Sequence, residues 1–249
     1  MPNYDFRATR IYIDAPLDTG REVSFDRDQA NYLTNVLRLS AGDAVLLFNG
    51  RDGEWRGKLA SASKRNVSAT VTARTRPQTP EGNLHFLFAP LKHARLDYMV
   101  QKAVEMGASR LQPVMTRHTQ VTRINLDRMR ANVIEAAQQC GVLAVPKVAE
   151  PQTFDAAMAG ADRLLVFCDE NADVKDPVAA LAGTRASPGT PVALLIGPEG
   201  GFADEERAAL LNRPKVVRIA LGPRILRADT AAVAALALVQ AVLGDWHSQ

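Results

Sequence analysis

The first 75 or so residues alternate short apolar runs with turn signals. RIYIDA and DAVLLF are typical of strands, and FNGRDGEW contains the Asn-Gly and Asp-Gly pairs of tight turns. GKLASASKRNVSATVTART alternates polar and small apolar residues, as a half-buried strand pair does. One helix interrupts the pattern from Asp26 through DQANYLTNVLRL, with Leu33, Val36 and Leu37 expected on one face. Short strands separated by turns predict a small β-barrel over residues 1–75.

The pattern changes after RPQTPEG, where two prolines and a glycine indicate a linker over residues 76–83. Apolar strand-like segments then alternate with helix-forming ones; the strand candidates are HFLFAP, LQPVMT, RLLVFCDE, VALLIGPEGG and VVRIALG. The helix LDYMVQKAVEMG carries one apolar stripe, formed by Leu96, Met99, Val100 and Ala103. Gly107 ends this helix, and Gly141 ends the helix LDRMRANVIEAAQQCG. The alternation predicts an α/β domain with a mainly parallel sheet over residues 84–249.

Composition is that of a soluble globular protein. Of 249 residues, 47% are apolar and 23% charged, and the net charge of +3 favours an acidic partner such as RNA without requiring one. The chain has two cysteines, Cys140 and Cys168, and no signal-like start, which predicts a reducing cytoplasm without disulfides. The longest apolar stretch, AAVAALALVQAVL, is interrupted by Gln240 and is shorter than the ~20 residues that span a bilayer.

Three strand ends carry unusual residues. VFCDE places Cys168, Asp169 and Glu170 after an apolar strand, IGPEGGF is rich in glycine, and IALGPRILRADTAA contains two arginines three positions apart. Asp229 or Thr230 is expected to cap the alanine-rich helix that follows. Ligands of open α/β sheets bind beyond the carboxyl ends of the strands. We therefore expect a ligand site where these three segments meet.

The glycine segment GPEGG matches neither the phosphate loop GxxxxGK[ST] nor the dinucleotide fingerprint GxGxxG. Its glutamate suits a ligand with a cationic or hydrogen-bond-donating portion better than a phosphate. Taken alone, GPEGG could equally be a tight connection between a strand and a helix. Its combination with LGPRILR favours a binding site.

GPEGGF followed by LGPRILRADTA resembles the paired signatures of the SPOUT methyltransferases, in particular the ribosomal RNA small-subunit methyltransferase E family. NYLTNVLRLSAGD with LFNG, YMVQKAVEMG, EAAQQCG and VPKV agree in chain order, so the resemblance runs from about Arg10 to Ala232. Two positions depart from it. Asp229 stands where the family usually has Glu, and Val142 stands where an Arg commonly follows the QCG motif.

The resemblance implies an N-terminal PUA-like β-barrel followed by a SPOUT domain with a deep trefoil knot. It also implies a cytoplasmic homodimer that methylates N3 of a uridine in 16S ribosomal RNA of the small subunit, using S-adenosylmethionine and no metal. A SPOUT ribose 2′-O-methyltransferase is the alternative enzyme. A non-catalytic RNA-binding protein is the alternative from another class, and a nicotinamide-dependent reductase is less favoured because the dinucleotide fingerprint is missing.

Three groups of residues are expected at the site. Carried over to this chain, the resemblance implies the cofactor-binding group. The catalytic and RNA-binding groups are hypotheses, and the RNA-binding cations could instead be solvated surface charge. The expected cofactor-binding residues are Phe167, Cys168, Glu170, Ile196, Gly197, Pro198, Glu199, Gly200, Gly201, Ile219, Leu221, Gly222, Ile225 and Leu226. The RNA-binding candidates are Arg7, Arg10, Arg38, Lys92 and Arg95, followed by Arg117 and Arg123. The catalytic candidates are Arg224, Arg227 and Glu199.

Methyl transfer from a sulfonium is an in-line displacement that depends on positioning and on correctly placed charge. Arg224 or Arg227 would stabilise the negative charge that uracil acquires on losing its N3 proton, and Glu199 or a backbone carbonyl would assist that loss. The alternatives are an ion pair between Arg227 and Asp229, and a loop-ordering role for Glu199. Methylation at C5 would instead need a thiolate.

Cys168 is the candidate for such a thiolate, whereas Cys140 is expected to be a buried packing residue. The four histidines show no metal-ligand spacing and are expected at the surface or in packing: His85, His93, His118 and His247.

Overall fold

The computed structural model describes residues 8–63, 66–159, 162–173, 176–184, 186 and 189–247. The chain forms two compact units. The first contains the chain up to Pro80 together with Ala137–Val145, and the second contains Glu81–Ala136 and the chain from Pro146 onwards. The hydropathy pattern carries no signal for the association of Ala137–Val145 with the first unit.

The first unit is built on a five-stranded sheet with the order β1-β3-β4-β5-β2. Its strands are β1 (Arg10–Tyr12), β2 (Glu22–Ser24), β3 (Ala44–Phe48), β4 (Glu54–Ser63) and β5 (Asn66–Arg76). β1 runs parallel to β3, and the other neighbours are antiparallel. Inward-facing apolar residues of these strands form one core cluster that includes Ile11, Leu47 and Leu59.

The helix expected from Asp26 begins as α1 (Arg27–Asn31) and continues as a π-helical segment (Tyr32–Val36). Leu33 is fully buried, whereas Val36 is 62% exposed, so the prediction that they share one buried face was wrong. The π-helix has i→i+5 hydrogen bonds and therefore a wider turn than an α-helix. A residue three positions along consequently no longer returns to the buried face.

The second unit contains a sheet with the order β12-β10-β11-β6-β7-β8, and β9 pairs with β7. Its strands are β6 (Leu84–Phe88), β7 (Arg110–Met115), β8 (Lys147–Val148), β9 (Gln152–Thr153), β10 (Leu164–Cys168), β11 (Val192–Ile196) and β12 (Val216–Ile219). Every pair of neighbours is parallel, which confirms the predicted α/β class. The trefoil knot stays a prediction.

The helices of the second unit follow its strands along the chain: α2 (His93–Glu105), α3 (Leu126–Cys140), α4 (Phe154–Ala159), α5 (Pro177–Ala182), α6 (Asp204–Leu211) and α7 (Ala228–Val242), with a short 3-10 turn (Asp245–His247) after α7. The predicted stripe of α2 is buried along its whole length. Arg227 occupies the N-cap position of α7 without a side-chain capping bond, so the expected cap at Asp229 or Thr230 was wrong. Asp229 lies in the first turn instead, where its carboxylate accepts the Thr230 N–H at 3.1 Å.

Gln240, which interrupts the apolar sequence of α7, is buried and joins the ends of α7 and α2. Its side-chain amide donates to the Met106 carbonyl at 2.8 Å and accepts the Asp245 N–H at 3.2 Å. Gly107 follows Met106 with φ +80°, and a Cβ there would overlap the Gln240 amide. Within the described ranges, no helix is both long enough and apolar enough to cross a membrane.

Candidate functional site

The strands β12, β10 and β11 are neighbours and run parallel, so their carboxyl ends lie at the same edge of the sheet. The loops that follow them enclose a cavity of about 490 Å³. All the expected cofactor-binding residues except Phe167 line this cavity. Five further residues of the three expected segments, which had no individual cofactor assignment, also line it: Asp169, Phe202, Pro223, Ala228 and Ala231.

Phe167 belongs to the core beneath the cavity. Its side chain is fully buried and meets Phe202 edge-on, with ring centroids 6.2 Å apart. Successive side chains of a strand point to opposite faces, so Phe167 and Cys168 cannot both face the ligand with their side chains. The side chain of Phe167 therefore supports the cavity through Phe202, and a cofactor contact of its backbone stays a prediction.

The glycines of GPEGG have distinct structural reasons. A Cβ on Gly197 would lie 2.8 Å from the Phe202 ring, so the absence of a side chain there serves packing within the loop. Gly201 has φ +73°, a conformation that favours glycine. Its carbonyl lies 3.1 Å from Nδ1 of His118, and because a carbonyl only accepts, Nδ1 carries the proton. His118 thus holds the carboxyl-terminal end of the GPEGG loop through this hydrogen bond.

Glu199, the carboxylate of this loop, forms an ion pair with Arg95 in the first turn of α2. Both side chains remain partly exposed, at 48% and 39% respectively. A residue expected to contact RNA and a residue expected to take part in catalysis therefore contact each other at the rim of the cavity.

Arg224 and Arg227 are both exposed, but only Arg224 lines the cavity. Arg227 sits at the start of α7, and within the described residues it forms no ion pair with Asp229. Between them, Ile225 is fully exposed. An arginine and a large apolar side chain are therefore presented to solvent beside the same cavity.

Asp169 was expected at the site from its strand end, but the sequence assigned it no role. It is 4% exposed, and its carboxylate receives Arg207 through two nitrogens, with the Nη2–Oδ2 distance at 2.9 Å. Arg218 of β12 lies 3.7 Å away, and the Asn171 N–H donates at 3.1 Å. Asp169 thereby ties the end of β10 to α6 and β12. An acid directly after an apolar strand was the available signal, but its partners are remote in the sequence.

Burial, and secondarily the charge of Glu170, raises the pKa of the Cys168 thiol to about 12. The thiol therefore stays protonated near neutral pH and is a poor nucleophile. Cys140 is exposed at the end of α3, so the expectation that it is buried was wrong. Cys140 continues the stripe of Met129, Val133 and Ala137, but the stripe is no longer covered at this last turn of α3.

Among the histidines, His118 is exposed and His85 is half-buried, while the side chains of His93 and His247 lie outside the described residues. Across the described ranges, no three His, Cys, Asp or Glu side chains come together in a way that could hold a metal ion.

The structure corrects one RNA-binding candidate. Arg10 is only 5% exposed; its Nε donates to Glu54 at 2.8 Å, and its Nη1 donates to the carbonyls of Ala137 and Gln138 at 2.8 and 3.0 Å. These contacts explain part of the association of residues 137–145 with the first unit. They also leave the Arg10 guanidinium inaccessible to an RNA phosphate. The sequence reveals that Arg10 is charged but not that it is buried.

The other candidate cations are accessible. Arg38, Lys92, Arg117 and Arg123 are exposed, and Arg7 lies outside the described residues. Arg38 has φ +57°, the left-handed conformation that residues other than glycine seldom adopt. It lies two residues after the π-helical segment, which ends at Val36, so an irregular backbone presents this cation to solvent.

Two family models match this chain. An RNA methyltransferase domain matches residues 77–240, and an RNA methyltransferase PUA domain matches residues 25–72. The Ribosomal RNA small subunit methyltransferase E of Rickettsia conorii is 28% identical over 232 residues, covering 93% of this chain and 94% of that protein.

Two solved structures are similar over nearly the whole chain. Ribosomal RNA small subunit methyltransferase E of Neisseria gonorrhoeae, bound to S-adenosylmethionine, has a TM-score of 0.83 and 26% identity, covering 96% of this chain and 100% of that one. A Legionella pneumophila methyltransferase with the same bound cofactor has a TM-score of 0.82 and 29% identity, covering 96% and 99%. Since the methyltransferase model alone spans residues 77–240, this chain belongs to the RNA methyltransferase family, with a PUA domain preceding the methyltransferase domain.

Proposed function

We propose that this protein transfers a methyl group from S-adenosylmethionine to N3 of a uridine in 16S ribosomal RNA. The observation that carries the proposal is the cavity at the carboxyl ends of β10, β11 and β12, formed by GPEGG and LGPRIL in a chain of the RNA methyltransferase family. The similar Neisseria and Legionella proteins bind S-adenosylmethionine, and the Rickettsia relative is named for the small ribosomal subunit.

The residues present fit this cofactor. A volume of about 490 Å³ falls within the ~300–1,000 Å³ of small-molecule sites. Ile196, Ile219 and Leu226 supply apolar surface for an adenine ring, and the glycine loop supplies backbone hydrogen-bonding groups. The carboxylates of Glu170 and Glu199 complement the positive charge of the ligand. When bound, the sulfonium supplies an electrophilic methyl group.

The protein's own groups then act on uracil. Arg224 is exposed and lines the cavity, so we assign it the stabilisation of negative charge on O2 and O4 as the N3 proton leaves. Glu199 lies at the rim, with Arg95 orienting it, and accepts that proton. Arg227, three positions after Arg224 at the helix start, adds positive potential. The protonated state of Cys168 is compatible with this reaction, because methyl transfer to N3 needs no thiolate adduct.

We assign RNA binding to the PUA domain and methyl transfer to the methyltransferase domain. Residues 1–75 bind RNA through a PUA-like barrel, with Arg38 and Lys92 as accessible phosphate contacts on the two units, and residues 84–249 bind the cofactor and catalyse transfer. The small residues of α7 and the exposed Ile225 support a homodimer that closes over the cofactor loops. We place this enzyme in the cytoplasm, acting on the small ribosomal subunit, with a knotted methyltransferase domain.

The test is incubation with labelled S-adenosylmethionine and 30S subunits that lack small-subunit modifications, followed by mass spectrometry of the digested RNA. 3-Methyluridine is the expected product. A 2′-O-methyl nucleoside would move the protein to a ribose methyltransferase, and cofactor binding without product on any form of the RNA would reject the assigned substrate. No cofactor binding would leave an RNA-binding protein.

Variants test the assigned roles within that assay. Arg224→Ala should lower kcat by roughly 10²-fold, the usual effect of removing one electrostatic stabiliser. Arg74→Ala, which removes an equally exposed positive charge from β5, should retain kcat. Near-normal turnover of Arg224→Ala on saturating RNA would remove Arg224 from the chemistry.

A further inference from the structure

A cationic cluster lies at the amino ends of the strands, the edge of the sheet opposite the candidate cofactor site. His85 of β6 pairs in register with Arg110 of β7, so their side chains leave the same face of the sheet. Arg163, one residue before β10, donates from Nη1 to the Asn83 carbonyl at 2.7 Å. Asn83 is two residues before His85, so the Arg163 guanidinium reaches across to the same place.

The charges of this cluster are not balanced by neighbouring acids. His85, Arg110 and Arg163 are half-buried, and neither guanidinium forms an ion pair with a carboxylate in the described part of the chain. Two nearby acids already have cationic partners. Glu81 pairs at 2.8 Å with Lys147, the register neighbour of Arg110 on β8, and Asp162 pairs with Lys215 at 2.8 Å. Half-buried like charges without a counter-charge oppose folding.

The pKa of His85 reflects the positive charge of its neighbours. Burial, then the charges of Arg163 and Arg110, lower the pKa of His85 to about 4. Burial and the charge of Arg110 also lower the pKa of Arg163. At neutral pH the imidazole is therefore uncharged and retains one N–H donor, beside two guanidinium groups.

We propose that Arg110, Arg163 and His85 form a phosphate-binding site at this edge of the sheet. Guanidinium groups bind phosphate through paired hydrogen bonds, and a bound anion would supply the missing counter-charge. The phosphate comes either from an RNA backbone or from a free phosphate. Only the RNA source rests on the proposed function, because phosphate binding itself is independent of methyl transfer.

The phosphate test follows the imidazole of His85 by NMR in a pH titration without cofactor or RNA. A bound anion favours the imidazolium, so inorganic phosphate should raise the pKa of His85 by about one unit or more relative to chloride at equal ionic strength. The double variant Arg110→Gln, Arg163→Gln should lose this dependence on phosphate, whereas Arg74→Gln, with one exposed cation removed elsewhere, should retain it. A pKa of wild-type His85 that is indifferent to phosphate would overturn the proposal.

The RNA source is tested by the salt dependence of binding to a 16S RNA fragment. If these arginines contact RNA phosphates, each single Gln variant should reduce the slope of log K against log salt by about one. Saturable phosphate binding with an unchanged slope would support the site and assign it to free phosphate. Thermal unfolding of the variants separates loss of binding from loss of fold, and the wild-type titration stands without any variant.

Discussion

Replacing Asp169 by asparagine removes the charge that ties the end of β10 to α6 and β12. The carboxylate is 4% exposed and receives Arg207 through two nitrogens, at 2.9 Å for the shortest contact. Arg218 lies 3.7 Å away from the same carboxylate. Asparagine keeps the shape and one acceptor oxygen, so the substitution tests charge with little change in volume.

The size of the effect follows from the exposure of the partners. Breaking a fully buried ion pair costs roughly 3–5 kcal/mol because a charge is left unpaired. Here the Arg207 and Arg218 side chains are 32% and 33% exposed and regain water, so we expect about 2 kcal/mol of lost unfolding free energy. For a chain of this size, that corresponds to a fall in Tm of about 4–8 °C.

The measurement combines thermal and urea unfolding with calorimetric titration of S-adenosylmethionine. Because Asp169 lines the cavity, its variant should also bind the cofactor more weakly, by about tenfold. Asp162→Asn is the matched control, since its ion pair with Lys215 at 2.8 Å lies at the surface, where water screens it, and its loss should leave Tm nearly unchanged. Equal losses of stability in the two variants would refute the argument from burial.

Three further predictions concern other residues. Gly197→Ala places a methyl group 2.8 Å from the Phe202 ring, so unfolding free energy should fall by roughly 1–3 kcal/mol in a urea titration; an unchanged midpoint would contradict this packing. Cys168→Ser should keep methyl transfer within about twofold, because burial raises the pKa of the thiol to about 12; loss of turnover with cofactor binding intact would indicate covalent chemistry. Burial raises the pKa of Glu54, but hydrogen bonds from neighbours, above all Arg76, outweigh it and lower the pKa below 4.5. The stability that Glu54 contributes is therefore complete well above pH 4.5 and is lost as the pH falls below it. In acid unfolding curves, Glu54→Gln should abolish this part of the pH dependence.

Local pattern predicted most of the second unit. Continuous apolar runs identified β6, β7, β10, β11 and β12. The burial of the inner strands on both faces matches the parallel sheet, whereas the edge strand β12 is only partly buried. The stripe of α2 was correct because a regular α-helix returns to the same face at fixed intervals. The same rule failed at Val36, where the backbone becomes π-helical and the interval changes. Pattern reasoning is therefore reliable where the backbone is regular.

Some features of the candidate site could likewise be predicted from local sequence, and others could not. Its loops could be located from the sequence because parallel strands bring their carboxyl ends to one edge, and glycine, proline and charged residues mark those ends. The role of Phe167 was misjudged because strand alternation turns its side chain into the core. The ion pair between Arg95 and Glu199 could not be predicted, since nothing local joins positions on different elements.

The sequence by itself indicated the class and order of the longer strands and helices, and the loops that enclose the cavity. Each of these depends on residues within a few positions of one another. The tertiary structure alone decided that Arg10 is buried against Glu54, that Asp169 holds two arginines, and that Arg110 has no carboxylate partner among the described residues. The sequence shows which side chains are charged. Their burial and their ion-pair partners depend on contacts in space between residues far apart in the chain.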